Sequence, residues 1–459
     1  GTPRSARSTL PYHRRTRCRN PGPFLRAPPG ALHMALRAVL GAGALALLRP
    51  ACGLELARSA QEGLPWYELH PGWGLDDWKK ELNLSDPPKV AFRKATTDER
   101  KAHDEAKRQC SIAGIASRRG SSRAMENGTI AYLVTRRSDL AQLSESLPRL
   151  RHHFLRFWPY PVKIFVVSDS LRQYDNDTFD NLTCKKDTYH HSDGTVGWGR
   201  ISCTPDNAPN KEEVRKVASE SLGPDYDWEV AEFDLRVPEA VKVRPEWENC
   251  DRKHMGCGPR WENMNLCAAW PGIKPGYMHM NQFFTKVMYE QEALRKYKYY
   301  LRLDADFEFR ETLKADPFCT MAQTGRKFIW QTRRHSGSPF CTQGLWEWFQ
   351  KYQQDNGLTP QDPHFWRESS AMVNYVGYAG MGDLDFFRSE PVRKLAEAFN
   401  NDGRVYLNRW SDQTYYVLLF ALFENHSAVG DIGFEWPDAS WCHKCQHHGK
   451  FDPITGKTS

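Results

Sequence analysis

The chain has 459 residues, of which 40% are hydrophobic and sixteen are tryptophan, and it carries a formal net charge of +7. That apolar and aromatic content excludes disorder over most of its length and is enough for one large core or two ordinary ones. Residues 1–60 hold ten arginines and one acidic residue, Glu55, so they carry +9 and the remainder −2; the folded part therefore has no basic footprint for nucleic acid.

In chain order, residues 1–33 are rich in Arg, Pro and Gly without apolar periodicity and read as an upstream leader that does not fold. Met34 and Arg37 then precede the eleven-residue apolar run Ala38–Leu48 and the small residues Ala51 to Gly53. This is the layout of a secretory signal peptide or short type II signal anchor over residues 34–52. Residues 53–125 are charged and read as a stem or linker, with an exposed helix expected over Lys94–Arg108. One folded domain is expected over 126–449, followed by a tail at 450–459.

Within that domain Thr129–Thr135 reads as a strand, Ser138–Phe157 as a helix with Leu140, Leu143, Leu147, Leu150 and Phe154 on one face, and Val162–Ser168 as a second strand. Strand, helix, strand predicts a βαβ unit and a parallel sheet. Residues 171–270 carry little periodicity beyond a helix near Lys211–Ser221 and a strand at Trp228–Asp234, and Glu248–Trp270 reads as a disulfide-tied loop. Helical spacing returns over Met280–Tyr297, ahead of a strand over Tyr299–Asp306. Further on, Lys327–Thr332 reads as a strand, Leu345–Asn356 as a helix, Tyr378–Phe387 as ending in a strand, and Pro391–Asn401 and Ser411–Phe423 as helices.

Ten cysteines lie beyond residue 52. An even count favours disulfides in an oxidising compartment, with a pairing that spacing alone does not give. Five N-x-[ST] sequons, at Asn83, Asn127, Asn176, Asn181 and Asn425, permit glycosylation there. The tail pair Cys442 and Cys445, with His443, His447 and His448 nearby, has no second C-x-x-C to complete a zinc finger, so a disulfide is the better reading.

The chemistry centres on Asp304-Ala305-Asp306 at the end of an apolar run. On a strand the two carboxylates share a face. Their repulsion and lost hydration are tolerable there mainly if a cation sits between them, and hard oxygen ligands suit Mn²⁺ or Mg²⁺ carrying phosphate oxygens. The bland alternative is a solvated turn. Several motifs accompany the pair: Gly276 to Phe284 (GYMHMNQFF), Asp316-Pro317-Phe318, Asp383 to Glu390 (DLDFFRSE), Asn408 to Asp412 (NRWSD) and Asp431 to Phe434 (DIGF).

In order and spacing these resemble glycosyltransferase family 15, the fungal Golgi α-1,2-mannosyltransferases, over roughly residues 126–449. The eight-residue run DLDFFRSE is the most specific part. The resemblance implies an α/β GT-A fold, a Rossmann-like mixed sheet flanked by helices. It also implies a Mn²⁺ (or Mg²⁺) dependent hexosyltransferase that moves mannose from GDP-mannose to a glycan or glycoprotein with retention. Its expected partners are a nucleotide-sugar donor and a glycan acceptor, its compartment is the Golgi or secretory lumen, and membrane anchoring would run through the N-terminal segment.

Residue by residue, the family's Glu-Pro-Asp becomes Asp304-Ala305-Asp306; Trp436 stands where the family has its metal-binding His, and His443, His447 or His448 nearby is a candidate substitute. Tyr277, Gln282, Arg302 and Arg409 are the expected substrate contacts. The family's proposed nucleophilic Glu aligns with Gly380, which leaves Asp383, Asp385 and Asp412 as the carboxylates for catalysis. The bland readings are a helix cap for Asp412 and a backbone hydrogen bond for Asp383 or Asp385. Two alternatives follow from these departures: a GT-A enzyme with another nucleotide sugar, and a catalytically silent glycan-binding relative.

Overall fold

In a computed structural model of the chain the described residues are 93–117, 125–168, 182–190, 196–205, 209–234, 275–335, 342–408, 410–430 and 441–443. The leader, the signal segment, most of the stem and the Glu248–Trp270 loop lie outside them. Helix α1 (Thr97–Gln109) starts on Thr96, whose hydroxyl accepts from the Glu99 N–H while the Glu99 carboxylate accepts from the Thr96 N–H, so two donors of the first turn are satisfied reciprocally. A short helix, α2 (Ile112–Ser117), follows.

Strand β1 (Gly128–Val134), helix α3 (Arg137–Leu150) and strand β2 (Val162–Val167) form the expected βαβ unit. α3 runs into a π-helical turn at Arg151–Leu155. β1 and β2 are buried almost throughout and pair in parallel, which is why they read as continuous apolar runs rather than alternating ones. Next come β3 (Leu182–His190) and β4 (Val196–Pro205), an antiparallel pair where the sequence shows no strand pattern. Helix α4 (Lys211–Leu222), with a capping box between Asn210 and Glu213, leads into β5 (Trp228–Phe233) beside β2.

Helix α5 (Pro275–Gln282) continues through a π turn, Phe283–Val287, to Met288–Glu290. The helix expected to reach Tyr297 stops there because Gln291 turns extended. β6 (Tyr299–Leu303) and β7 (Phe307–Phe309) flank the carboxylate pair. Helix α6 (Pro317–Thr324), β8 (Phe328–His335), α7 (Leu345–Asp355) and α8 (Pro363–Ser369) precede β9 (Val373–Asp383). The chain closes with α9 (Leu384–Arg388), α10 (Glu390–Asp402), α11 (Arg404–Leu407), α12 (Asp412–Phe423), β10 (Val429–Gly430) and β11 (Trp441–His443).

The main sheet has seven strands in the order β10-β8-β9-β6-β1-β2-β5. All are mutually parallel except β9, which runs antiparallel to both neighbours. This is a Rossmann-like mixed sheet flanked by helices, the α/β class the sequence predicts. Two apolar clusters cover its faces. One contains Leu143, Leu147, Val214 and Phe318 of α3, α4 and α6 with Leu301 and Leu303 of β6. The other contains Phe283, Leu395 and Tyr416 of α5's extension, α10 and α12 with Tyr300 of β6. α12 is apolar nearly all round and buried over most of its length, as a helix enclosed by a core must be.

A disulfide, Cys110–Cys319, ties the end of α1 to α6. Beside it Asp316 caps α6: its Oδ1 accepts from the N–H groups of Phe318 and Cys319, and its Oδ2 accepts from the Tyr160 hydroxyl at 2.7 Å. Burial pushes this carboxyl up from 3.8 to about 6. The folded state thus holds a proton that the unfolded chain releases between those values, so this group's stabilisation is full below about pH 4 and falls away as pH rises through 6. Asp316→Ala removes the cap and orphans the Tyr160 hydroxyl, for an expected loss of about 2–4 kcal/mol. Urea melts check the magnitude. Repeated with Asp316→Asn between pH 4 and 7, they check the sign, since the wild type's advantage over that variant is expected to shrink with rising pH.

Candidate active site

β1 has β2 on one side and β6 on the other. The chain therefore runs outward from β1 to β5 and then returns to the opposite flank. In an open α/β sheet the crevice beyond the carboxyl ends of strands at such a reversal is where ligands bind. The residues that leave β6 there are Asp304-Ala305-Asp306. The strand expected to run through Asp306 ends at Leu303, and the pair sits in a turn closed by the Phe307 N–H donating to the Asp304 carbonyl at 2.9 Å. The Asp304 N–H donates to the Tyr378 carbonyl of β9 at 2.9 Å, which anchors the turn to the sheet. Strand alternation is therefore not what aligns the two carboxylates.

The partner they meet comes from far along the chain. β11 pairs antiparallel with β7, setting His443 opposite Phe307. The His443 Nε2 lies 3.1 Å from Asp306 Oδ1. The ring stacks on Tyr378 with centroids 4.3 Å apart and planes at 10°. One ligand atom each of Asp304, Asp306 and His443 lie within 4.8 Å of one another, and all three side chains are partly accessible. Cys442, next to His443, is disulfide-bonded, in keeping with an oxidised rather than zinc-bound tail.

On the other side of the turn Asp304 meets Arg302, whose guanidinium is 3% exposed. Arg302 lies 3.2 Å from Asp304 Oδ1 and 2.6 Å from Asp412 Oδ2, and packs over the Phe284 ring at 3.3 Å. Asp412 is fully buried at the first position of α12. Its second oxygen, Oδ1, accepts no hydrogen bond among the described residues. Gly377 makes room for the cation: a Cβ there would stand 3.2 Å from Arg302 Nη1. Burial works against the Arg302 charge, but Asp304 and Asp412 more than offset it and hold its pKa above the usual guanidinium value. Burial raises the Asp304 carboxyl; Arg302 pulls it down and Asp306 pushes it up, for a net upward shift.

The remaining expected site residues are scattered. Asp383 stands opposite Tyr299 at the start of β6, about 16 Å of extended chain from Asp304. It caps α9 through the Asp385 and Phe386 N–H groups and pairs with Lys327 at 3.0 Å. Asp385 is exposed in α9; the helix begins directly after Asp383, so the two do not alternate along a strand. The structure thus gives Asp383 the bland role. Arg302, expected to touch substrate, is instead enclosed between two carboxylates. Gln282 is buried and accepts from the Tyr406 hydroxyl at 2.6 Å, which also meets His279 Nδ1 at 2.9 Å. Tyr277 falls on α5, but its side chain lies outside the described residues, as does Arg409.

With this geometry in place, comparisons with known proteins are informative. Residues 241–448 match the family model described as glycolipid 2-alpha-mannosyltransferase. The chain is 22% identical over 333 residues to the O-glycoside alpha-1,2-mannosyltransferase omh1 of Schizosaccharomyces pombe, a match covering 68% of this chain and 76% of that one. It is 27% identical over 187 residues to the probable mannosyltransferase KTR4 of Saccharomyces cerevisiae, covering 37% and 40% respectively. Against several of these relatives the chain therefore spans about half of their length or less. Among solved structures, the core-mannan synthase A (CmsA/Ktr4) from Aspergillus fumigatus in its Mn/GDP form superposes with a TM-score of 0.49 at 17% identity, over 81% of this chain and 90% of that one.

The Arg302 bridge is testable by itself. Replacing Arg302 with Gln leaves Asp412 buried and unpaired, so a stability loss of about 3–5 kcal/mol is expected. Arg302→Lys is expected to recover only part of it, because an ammonium lacks the planar fork that reaches two carboxylates at once. Denaturant unfolding of the three proteins measures both.

Proposed function

We propose that the chain is a remote member of the glycolipid 2-alpha-mannosyltransferase family, glycosyltransferase family 15, and that it transfers mannose from GDP-mannose to a mannose-bearing glycan or glycoprotein. The observation that carries this reading is the convergence of Asp304, Asp306 and His443 at the sheet's reversal point, with Arg302 linking Asp304 to the buried Asp412.

The donor set fits a divalent cation. Two carboxylates and one imidazole with mutually close ligand atoms, one carboxyl carrying a burial penalty, form a site whose repulsion a cation relieves. Asp304, Asp306 and His443 would hold Mn²⁺ or Mg²⁺, which when bound supplies charge neutralisation at a departing diphosphate. Arg302 acts on this site as a positioning residue: it fixes the rotamer of Asp304 and, through Asp412, the entry of α12. Tyr378 holds the His443 ring in plane. Asp412 Oδ1 is a buried acceptor left without a hydrogen bond among the described residues, and it is the carboxylate we assign to the sugar side of the site. Asp383 and Asp385 take no part in this reading, and Asp383 serves as the cap of α9.

The compartment follows from the same chemistry. The Cys110–Cys319 disulfide suits an oxidising lumen, so a secretory-pathway enzyme is the reading it supports. The apolar run Ala38–Leu48, outside the described residues, would deliver the chain there and serve as an anchor. No described helix is long and apolar enough to cross a membrane.

GDP release from GDP-mannose in the presence of Mn²⁺ and a mannose acceptor is expected to be EDTA-sensitive. Asp306→Ala is expected to abolish metal-dependent donor binding. Asp383→Ala is expected to lose about 1–2 kcal/mol of stability through its cap while the folded fraction keeps its turnover. Absence of GDP release by folded protein, with turnover of another nucleotide sugar, would move the donor assignment. Silence with every donor would favour the non-catalytic glycan-binding reading.

A further inference from the structure

A second group of metal-type donors lies at the other end of α12, away from the carboxylate turn. Asp412 opens that helix, and His426 follows its last residue, Phe423, by three positions. Twelve helical residues put the two ends about 17 Å apart. His364 and Glu368 stand four residues apart on α8 and therefore share a face. α8 starts on Asp362, whose Oδ1 accepts from the His364 and Phe365 N–H groups at 3.0 Å each. One ligand atom each of His364, Glu368 and His426 lie within 4.8 Å of one another.

The state of His426 points to a ligand. Its side chain is 3% exposed, and Phe365 stacks on its ring at 4.0 Å, fixing the plane. Nε2 lies 3.1 Å from Glu368 Oε2, and Nδ1 lies 3.5 Å from Asp362 Oδ2. Neither nitrogen makes an aligned hydrogen bond among the described residues. A buried imidazole that faces a carboxylate on each edge yet hydrogen-bonds neither is costly as it stands. The arrangement is the one used around a bound metal: one ring nitrogen toward the ion beside a carboxylate ligand, the other toward an outer carboxylate that sets tautomer and orientation. Donors bonded to one tetrahedral ion at about 2.0–2.2 Å sit roughly 3.3–3.5 Å apart, near the Nε2–Oε2 separation here.

We infer that His364, Glu368 and His426 form a zinc site, with Asp362 as its outer carboxylate. Two imidazoles and one carboxylate favour zinc over the hard cations that suit the oxygen-rich set at Asp304 and Asp306. His364 is exposed, which gives the ion an entry path and leaves room for water at the fourth position. Bound there, the ion fastens α8 to the segment that leaves α12. The inference does not depend on the transferase reading, since it concerns different residues and a different metal.

The test uses the full chain carrying Asp306→Ala, which removes the first site's contribution, stripped with chelator and titrated with zinc chloride. About one zinc per chain by calorimetry, an accompanying rise in melting temperature, and visible bands of tetrahedral cobalt when Co²⁺ replaces zinc are expected. Adding His364→Ala, an exposed position whose replacement leaves the core untouched, is expected to weaken zinc binding at least about tenfold and to abolish the stabilisation. No zinc uptake in the Asp306→Ala protein overturns the inference, and so does zinc affinity that is unchanged by His364→Ala.

Discussion

The candidate site depends on one buried cation. Arg302 projects from the middle strand of the sheet into the face covered by α12 and finds Asp412 on the helix and Asp304 at the strand's own exit. Removing a guanidinium from water is unfavourable by several kcal/mol, and only multiple well-placed anions recover that cost. Here two carboxylates and the Phe284 ring share it. The consequence is geometric: the position of Asp304 is tied to the first turn of α12, and α12 is itself locked into the larger core by Tyr415, Tyr416 and Leu418 to Phe420. A shift of the helix is therefore felt at the turn. Gly377 belongs to the same arrangement, since any side chain there would press on the guanidinium.

Much of the fold was legible in the sequence because the central parallel strands β1 and β2 are buried on both faces, while β5 at the sheet's edge is only partly buried. Thr129–Thr135, Val162–Ser168 and Trp228–Asp234 read as strands and are β1, β2 and β5 to within a residue or two. The helices with clear apolar spacing or caps, at Lys211, Leu345, Pro391 and Ser411, also stand where their periodicity puts them. What escaped was pairing across long separations. β7 and β11 have three residues each and are separated by more than a hundred positions, so neither carries enough periodicity to be seen. His443 was visible only as one histidine among several in the tail; its place beside Asp306 is a product of that pairing.

The misplacement of Asp383 and Asp385 has a different cause. The segment Tyr378–Phe387 reads as ending in a strand, and a period of two there would put both carboxylates on one face. The chain instead uses Asp383 as a helix cap at the moment β9 ends. An Asp directly before a run of Leu, Asp, Phe and Phe is also a helix-start signal, and the lysine that neutralises it, Lys327, comes from the neighbouring strand's entry. A motif shared with a family can thus be structural: Arg388, also in the run, donates to the carbonyls of Tyr289, Leu294, Arg295 and Tyr297 and closes the segment that leads into β6.

The absent carboxylate at Gly380 constrains how sugar transfer with retention would run on this sheet. Gly380 faces Arg302 across the β6–β9 ladder. A Cβ built there would lie 3.6 Å from the Ile329 carbonyl and 3.7 Å from the Phe328 ring. An ionised side chain at that position would meet an aromatic wall and a carbonyl of like polarity, a poor home for an anion. Gly380 is thus set against the Phe328 ring and the Ile329 carbonyl, with no cation among the described atoms nearest that Cβ. The buried anion of the network is Asp412, already neutralised in part by Arg302. A carboxylate held by a guanidinium is a weak nucleophile, but it is well suited to steady positive charge on a sugar ring while the departing diphosphate shields the opposite face. In the transfer proposed for this scaffold, Asp412 would act by electrostatic stabilisation rather than through a covalent intermediate.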